Sequence, residues 1–155
     1  MHLRPFQIGD ERALHDVFYS AIHGLAAQHY SIAQLNAWAP ATYNVSRWEA
    51  RMQAIKPFVI ERDEAIIAYA DVQDDGLIDH FFVAASSAKQ GVGKWLMQHM
   101  IITAKAKQIP KLHSHVSVTA QPFFERNGFT LVTRQEVTIR DVVLSNALME
   151  RAVSA

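Results

Sequence analysis

The sequence predicts a single α/β domain in which helices lie on both faces of a mixed β-sheet. Apolar residues recur with a helical period in some segments and alternate with a strand period in others, and these segments follow each other along the chain. The chain has 155 residues, 50% of them hydrophobic, which is enough to bury one core. No repeat, low-complexity stretch or Gly/Ser-rich linker divides it, so one domain is expected over residues 1–155.

Charge and cysteine content exclude several classes of function. The 15 Lys and Arg residues balance the 15 Asp and Glu residues, so no net field favours nucleic acid or an anionic membrane. The absence of cysteine excludes disulfides, thiolate zinc sites and a cysteine nucleophile, and it fits a reducing compartment. No apolar run approaches the ~18 residues of a membrane span, and no secretory signal is evident. We therefore expect a cytoplasmic protein that binds neither nucleic acid nor membrane.

The first third of the chain predicts a strand and three helices. A short strand is expected over His2–Phe6, and Asp10 is the predicted N-cap of the first helix. Ser31 is the predicted cap of a second helix that Pro40 ends, and Ser46 is the predicted cap of a third. The apolar side chains of these helices are Leu14, Val17, Phe18, Ala21, Ile22, Leu25, Leu35, Trp38, Trp48, Met52 and Ile55.

The middle of the chain changes to the period of β-strands. Alternation over residues 58–70 around the charged turn Arg62–Glu64 predicts a hairpin. The Asp74–Gly76 turn then precedes a predicted strand over Leu77–Val83. A long helix is expected over Gly91–Lys107.

The last third predicts a strand, a short helix and two further strands. The first strand is expected over Leu112–Val118. The short helix is expected over Gln121–Asn127, with Gly128 as the residue that ends it. The two final strands are expected over Phe129–Ile139 and Val142–Glu150.

A glycine-containing loop precedes the long helix and predicts an anion site. Its sequence is Ala88-Lys89-Gln90-Gly91-Val92-Gly93-Lys94, and its two glycines allow a ligand to approach the backbone closely. The helix start adds unpaired N–H groups and the positive end of the helix dipole, which together suit a pyrophosphate. A Rossmann site does not fit, because Leu96 stands where its third glycine belongs. A tight turn without a ligand is the alternative that the glycine spacing alone leaves open.

The segment Thr119-Ala-Gln-Pro-Phe-Phe-Glu-Arg-Asn-Gly-Phe129 resembles the F-Y-E-K-x-G-F segment of the GNAT superfamily of acetyl-CoA-dependent N-acetyltransferases. It follows the glycine loop at the distance typical of that superfamily, and the order of predicted elements is similar along the whole chain. The resemblance implies a mostly antiparallel, splayed sheet of about six to seven strands. It also implies direct acetyl transfer from acetyl-CoA to a primary amine. Two segments, 28–31 and 37–39, resemble a bacterial branch of the superfamily.

The resemblance also implies which residues bind CoA. The backbone amides of the loop would bind the pyrophosphate, and the splayed strand, the next strand and the short helix would border the pantetheine arm. Ala88 departs from the family pattern, which has Gln or Arg at that position. The implied CoA-binding residues are Phe82, Val83, Lys89, Gln90, Gly91, Val92, Gly93, Lys94, Ser117, Phe123 and Phe124.

Asp79 is the predicted general base, because it interrupts an otherwise apolar strand and a carboxylate in apolar surroundings is a stronger base. The alternative is that Asp79 forms a salt bridge or faces water. His80, expected on the opposite face of the strand, is the second candidate. Phe124 occupies the position where many family members have a tyrosine that protonates the leaving thiolate. The tyrosines that could replace it are Tyr69, Tyr43 and Tyr30.

The acceptor is expected to be a small-molecule amine or a peptide amine. The family resemblance places its pocket between the first strand and the hairpin, where the candidates are His29, Tyr30, Trp38 and Tyr43. No metal is expected, and a homodimer is compatible with the family. A CoA-binding sensor with little or no catalysis is the alternative function, and Phe124 and Ala88 are the residues that keep it open.

Overall fold

The computed structural model describes residues 1–153, which form seven β-strands and five α-helices. The strands are β1 (His2–Pro5), β2 (Phe58–Arg62), β3 (Ala65–Ala70), β4 (Phe81–Val83), β5 (Lys111–Ser117), β6 (Thr130–Ile139) and β7 (Val142–Ala152). The helices are α1 (Glu11–Leu25), α2 (Ile32–Trp38), α3 (Val45–Ile55), α4 (Val92–Ala106) and α5 (Gln121–Arg126). Over residues 1–153, no helix combines the length and apolar character that crossing a bilayer requires.

The strands form two antiparallel sheets that meet at one point. The first sheet has the order β1-β2-β3-β4, and the second has the order β5-β7-β6. A parallel bridge between Leu77 and His113 joins them, and the N–H of Ile78 donates to the C=O of His113 at 2.9 Å. The predicted splayed and mostly antiparallel sheet is confirmed.

Helices cover both faces of this sheet, as predicted. Helices α1 to α3 pack on one face, where Leu14 and Met52 contact a core that includes Val59 of β2. Helices α4 and α5 pack on the other face, where Leu96 and Phe124 join a second core. The alternation of side chains along β2 and β3 separates the two cores, so each face of the sheet has its own apolar layer.

One predicted helix cap is correct in position only, and another is wrong. Asp10 is the N-cap residue of α1, but its carboxylate accepts hydrogen bonds from the Arg4 guanidinium at 2.8 and 2.9 Å and makes no side-chain cap bond. A charged, bidentate donor is a stronger partner for a carboxylate than a helix amide. Helix α3 begins at Val45, where the side chain of Asn44 accepts from the N–H of Arg47 at 3.0 Å, so Ser46 is not its cap.

The predicted strand Leu77–Val83 is also too long, because only Phe81–Val83 is a strand. Its first residues belong to the bridge with β5. The N–H of His80 then donates to a side-chain oxygen of Asp71 at 2.6 Å rather than to a backbone carbonyl. The chain therefore changes partner from β5 to β3 over a few residues, and the regular ladder begins after that change.

Candidate active site

The edges of β4 and β5 diverge from the point where the two sheets meet. At that point the hydroxyl of Ser114, a buried residue of β5, donates to the C=O of Ile78 at 2.7 Å. Beyond Ile78, β4 pairs with β3 and β5 pairs with β7. A V-shaped gap therefore opens between β4 and β5, with its vertex fixed by buried hydrogen bonds.

Backbone groups of β4 face this gap. On its other edge, the N–H of Ala84 donates to the C=O of Ile67 at 2.8 Å, and the C=O of His80 accepts from the N–H of Asp71, just after β3, at 3.1 Å. Hydrogen bonds of an antiparallel pair alternate along the strand. The N–H and C=O groups of Phe81 and Val83 therefore point away from β3 and toward β5.

The glycine loop lies at one mouth of the gap and forms a cradle of backbone amides. Gly91 is the N-cap of α4 with a φ of +81°, and no side chain among the described residues caps this helix start. The first helical bond runs from the N–H of Trp95 to the C=O of Gly91 at 3.1 Å. The amides of Val92, Gly93 and Lys94 in the first turn consequently have no helical partner, which is the arrangement that binds anions.

Gly93 brings the loop against β4 and α5. A Cβ atom at this position would lie 3.2 Å from the ring of Phe123 and 3.7 Å from a methyl group of Val83. The ring of Phe123 in turn lies 5.4 Å from that of Phe81, centroid to centroid. The loop, the splayed strand and the short helix therefore converge at the same mouth, where glycine allows the closest approach.

The other predicted CoA-binding residues differ in exposure and in the groups that they present to a ligand. Lys89 and Lys94 are exposed at the cradle, whereas Val92 is buried and its side chain is part of the core. Ser117 ends β5, and its hydroxyl accepts from a backbone N–H at 3.2 Å. Phe124 is 3% exposed and packs against the rings of its neighbours. Its side chain therefore contributes to the core rather than to the surface of the gap.

Asp79 lies just before β4 and forms an ion pair with Arg51 of α3. Its side chain is 28% exposed and that of Arg51 is 52% exposed. The predicted apolar surroundings of Asp79 are therefore wrong, and the salt-bridge alternative is correct. The reason is that residues 77–80 leave the regular strand and direct this carboxylate toward α3.

His80 lies between Asp79 and the core. Its Nε2 atom is 3.9 Å from a carboxylate oxygen of Asp79, and its Nδ1 atom is 3.0 Å from the hydroxyl of Tyr69. The two neighbouring side chains thus approach each other, so the predicted placement on opposite faces is wrong. The aromatic rings around the imidazole belong to Phe18, Trp48, Tyr69 and Phe82. Burial lowers the pKa of His80 to about 4, an effect that Asp79 offsets only in part, so the ring is neutral at pH 7.

Tyr69 forms a hydrogen bond with this ring. The tyrosine is completely buried, and burial raises the pKa of its hydroxyl well above the usual value, with smaller contributions from Asp71 and Asp79. A hydroxyl that keeps its proton can donate to Nδ1 of His80. When it does, the ring proton is on Nε2, the nitrogen 3.9 Å from a carboxylate oxygen of Asp79.

Asp71 is a buried carboxylate that the sequence reasoning missed. It is 1% exposed and accepts hydrogen bonds from the N–H of His80 and from the side-chain amide of Gln73, both at 2.6 Å. Burial raises the pKa of Asp71 to about 6, although both hydrogen bonds act in the opposite direction. Its position directly after the apolar strand β3 was the available signal. Asp71 ties the end of β3 to the start of β4.

The raised pKa of Asp71 predicts a pH-dependent stability. Between pH ~4 and about 6, Asp71 holds a proton in the folded state and has released it in the unfolded state. The protonated Asp71 therefore stabilises the folded state at low pH, and this contribution to the free energy of unfolding is lost as the pH rises through about 6. The substitution Asp71→Asn removes the titration while keeping an oxygen for the N–H of His80. Relative to wild type, the variant is expected to gain about 3 kcal/mol between pH 4 and pH 7, at about 1.4 kcal/mol per pKa unit.

Urea unfolding at a series of pH values measures this difference. The exposed Asp16 of α1 provides a matched control, since Asp16→Asn removes a carboxylate that water solvates. Curves of stability against pH that stay parallel for Asp71→Asn and wild type would contradict the prediction. Other titrating groups cancel in the comparison.

Three of the four predicted acceptor residues lie together at the α1–α2 side of the gap. Nδ1 of His29 is 2.8 Å from the hydroxyl of Thr119, just after β5. The ring of Trp38 lies 5.6 Å from that of Tyr30 and 6.4 Å from that of Phe82, centroid to centroid. Aromatic and polar groups therefore border the face of the gap opposite α4.

Tyr30 also holds the second sheet. Its hydroxyl donates to the C=O of Ser145 at 2.6 Å and accepts from the N–H of Val118 at 2.9 Å. Burial raises the pKa of this hydroxyl. The hydroxyl of Tyr30 both donates and accepts a hydrogen bond, and these two bonds link β7 to the end of β5.

Tyr43 lies apart from the other predicted acceptor residues. Its ring stacks on that of His15 with centroids 3.5 Å apart, in a cleft of about 830 Å³ between α1 and α3. Trp48 lines the same cleft, and its ring lies 5.9 Å from that of His80. The structure therefore divides the predicted acceptor residues between two places.

Comparison with known proteins identifies related sequences and structures. The acetyltransferase (GNAT) domain family matches residues 26–144. The chain is 31% identical over 149 residues to the protein of Escherichia coli K12 described as the uncharacterized N-acetyltransferase YafP, covering 96% of this chain and 94% of that protein.

Solved structures show the same fold. A GCN5-related N-acetyltransferase from Rhodopseudomonas palustris superposes with a TM-score of 0.93 at 25% identity, covering 97% of this chain and 94% of that chain. The PaiA N-acetyltransferase of Thermoplasma acidophilum, in complex with coenzyme A, superposes with a TM-score of 0.75 at 18% identity, covering 97% and 98%.

Proposed function

Because the chain belongs to the acetyltransferase (GNAT) domain family and is an acyltransferase, we propose that it moves an acetyl group from acetyl-CoA to a primary amine by direct attack in a ternary complex. One observation carries the proposal: an anion cradle lies at the mouth of a gap whose edge presents unpaired backbone groups. No cysteine is present to carry the acetyl group, which agrees with direct transfer.

The residues at the cradle fit coenzyme A. The amides of the first turn of α4 suit its pyrophosphate, and Lys89 and Lys94 add positive charge. The tight approach of Gly93 to Phe123 leaves little room for a side chain at this position of the loop. The fold relative from Thermoplasma acidophilum is a complex with coenzyme A, which agrees with this assignment.

Acetyl-CoA supplies an activated acyl group as a thioester. The N–H of Val83, which the strand alternation directs into the gap, is the donor that we assign to the acyl carbonyl oxygen. A backbone donor fixed by the β3–β4 ladder needs no reorganisation when charge develops on that oxygen. Phe82 packs its ring toward the α1 face and so closes the acceptor side of the gap.

Asp79 is the group that we assign to accept, through water, the proton that the substrate ammonium must lose before its neutral amine attacks the thioester. It is accessible, whereas Asp71 is buried and its oxygens are occupied. His80 serves as a positioning residue in this scheme, in the tautomer whose Nδ1 accepts from Tyr69 and whose Nε2–H lies on the side of the Asp79 carboxylate, 3.9 Å away. In that tautomer His80 has no lone pair to offer the substrate.

The thiolate leaves without a dedicated acid in this proposal. Phe124 has no hydroxyl, that of Tyr69 is engaged by His80, and that of Tyr30 is engaged by a backbone carbonyl. A thiol has an unperturbed pKa near ~8.5, so the thiolate is a fair leaving group at neutral pH. The acceptor class that we propose is a small-molecule or peptide amine that enters past His29 and Trp38.

The proposal is tested by binding and turnover. Titration calorimetry with acetyl-CoA and free CoA is expected to show binding, and a panel of amines is expected to contain one that releases CoA. Binding without turnover on any amine would support the alternative, a CoA sensor, for which the core position of Phe124 is the favouring observation. No binding of either ligand would refute both functions.

A further inference from the structure

Arg62 reaches the glycine loop from a neighbouring part of the sheet. It ends β2, and strand alternation places it on the same face as Ile60, which packs in the core beneath α4. Its Nη1 donates to the side-chain oxygen of Gln90 at 2.7 Å, and its Nη2 donates to the hydroxyl of Ser87 at 2.9 Å. The guanidinium therefore holds the first half of the loop at two points.

The positive charge of Arg62 has no acidic partner among residues 1–153. No carboxylate of this part of the chain lies within ion-pair distance of it. The adjacent Glu61 points to the other face of the sheet and pairs with Arg4 at 2.7 Å. Both acceptors of Arg62 are neutral, so a full positive charge remains available beside the cradle.

These side-chain contacts add to the backbone hydrogen bonds that Ser87 and Ala88 make with the C=O groups of Ala84 and Ala85. The amide of Gln90 accepts from Arg62 and donates to the C=O of Ser86 at 3.2 Å, while Ser87 is buried. Between them, Lys89 has a φ of +59°, a conformation that costs a non-glycine residue energy. Ala88, which has only a methyl group, cannot contribute a polar contact to this loop.

We propose that Arg62 is a positively charged positioning residue of the CoA site: it holds residues 87–90 in the anion-binding conformation and supplies the charge that Ala88 does not. The inference rests on the proposed function, because CoA is the anion concerned. Arg62 lies on the β2–β3 hairpin, about 25 residues away in the chain from the loop that it contacts.

Calorimetric titration of CoA into wild type, Arg62→Gln, Arg62→Lys and Arg12→Gln tests the inference. Arg12 is an exposed arginine of α1 that borders the cleft at Tyr43, and it makes no ion pair within residues 1–153. The Kd for CoA is expected to rise about 10- to 100-fold in Arg62→Gln and to stay at the wild-type value in Arg12→Gln, since a charge-assisted contact contributes about one to two decades.

Two further readouts separate charge from loop shape. Arg62→Lys keeps the positive charge but loses the two separate donors of the guanidinium group. Its affinity for CoA is therefore expected to lie between those of Arg62→Gln and wild type. The Kd ratio between Arg62→Gln and wild type is expected to shrink as NaCl rises from 50 to 500 mM, because salt screens the charge. Circular dichroism establishes that each variant is folded.

The outcomes are distinct from those of the function test. Wild type that fails to bind CoA would refute the proposed function itself. Wild type that binds CoA beside an Arg62→Gln variant of equal Kd would refute the role of Arg62 alone. A loss of affinity that is equal in Arg62→Lys and insensitive to salt would also refute it, since the charge would then contribute nothing.

Discussion

Asp79→Asn is expected to lower kcat at pH 7 by about 10²- to 10⁴-fold, the usual contribution of general acid–base catalysis. The asparagine side chain keeps the size of the aspartate but cannot accept the proton that the substrate ammonium loses before its amine attacks. Stability should change by at most about 1 kcal/mol, because the ion pair with Arg51 is solvent-exposed. A loss of activity in a stably folded variant therefore reports chemistry.

The pH dependence distinguishes this role from a structural one. Without the base, the rate depends on amine that is already unprotonated, so the kcat of the variant should rise about tenfold per pH unit below an amine pKa of ~10. Asp74→Asn, in the exposed turn before the same segment, is the matched control and should retain wild-type kcat. Full activity of Asp79→Asn together with a large loss in His80→Gln would show that the histidine is the base instead.

Gly91→Glu is expected to raise the Kd for CoA by at least about 100-fold, as measured by calorimetry. Gly91 has a φ of +81°, so a side chain strains the turn by about 1 kcal/mol or more. The added carboxylate would also stand beside the amides that we assign to the pyrophosphate, and repulsion between like charges opposes binding. The strain acts in the free protein as well, whereas the repulsion acts only where an anion binds.

Gly9→Glu separates these two effects. Gly9 also has a positive φ, +109°, and neither glycine has another atom within 4 Å of the position a Cβ would take. Both substitutions therefore place a side chain in open space at a positive φ, but Gly9 lies before α1, at the cleft of Tyr43 rather than at the cradle. Equal loss of CoA affinity in the two variants would contradict the assignment of the loop.

Local sequence signals predicted much of the fold. The two-residue period of residues 58–70, the cap at Ser31 and the turn at Gly128 depend on neighbours a few positions away, and the structure has each of them. The glycine loop was predicted for the same reason. The start of α4 and the positive φ of its N-cap, Gly91, depend on residues that are adjacent in the sequence.

The details of the site depend on contacts that no local pattern contains. Arg51 and Asp79 are 28 positions apart, as are Arg62 and Gln90. Strand alternation alone placed Asp79 in an apolar layer, whereas the change of partner from β5 to β3 turns it toward α3. Asp71 was missed because a single acid after an apolar strand is indistinguishable from a surface residue until its burial is known.

The bridge between the two sheets has a mechanical consequence. A sheet usually resists opening because each hydrogen-bonded pair of residues is supported by the next, but within residues 1–153 the two sheets share one bridge, at Leu77 and His113. A ligand chain that lies in the gap and bonds to Val83 would act as a replacement strand and brace the two halves against each other. Ligand that binds the folded state alone raises apparent stability with its concentration. The lifetime of the folded chain is then expected to follow the supply of its own acyl donor.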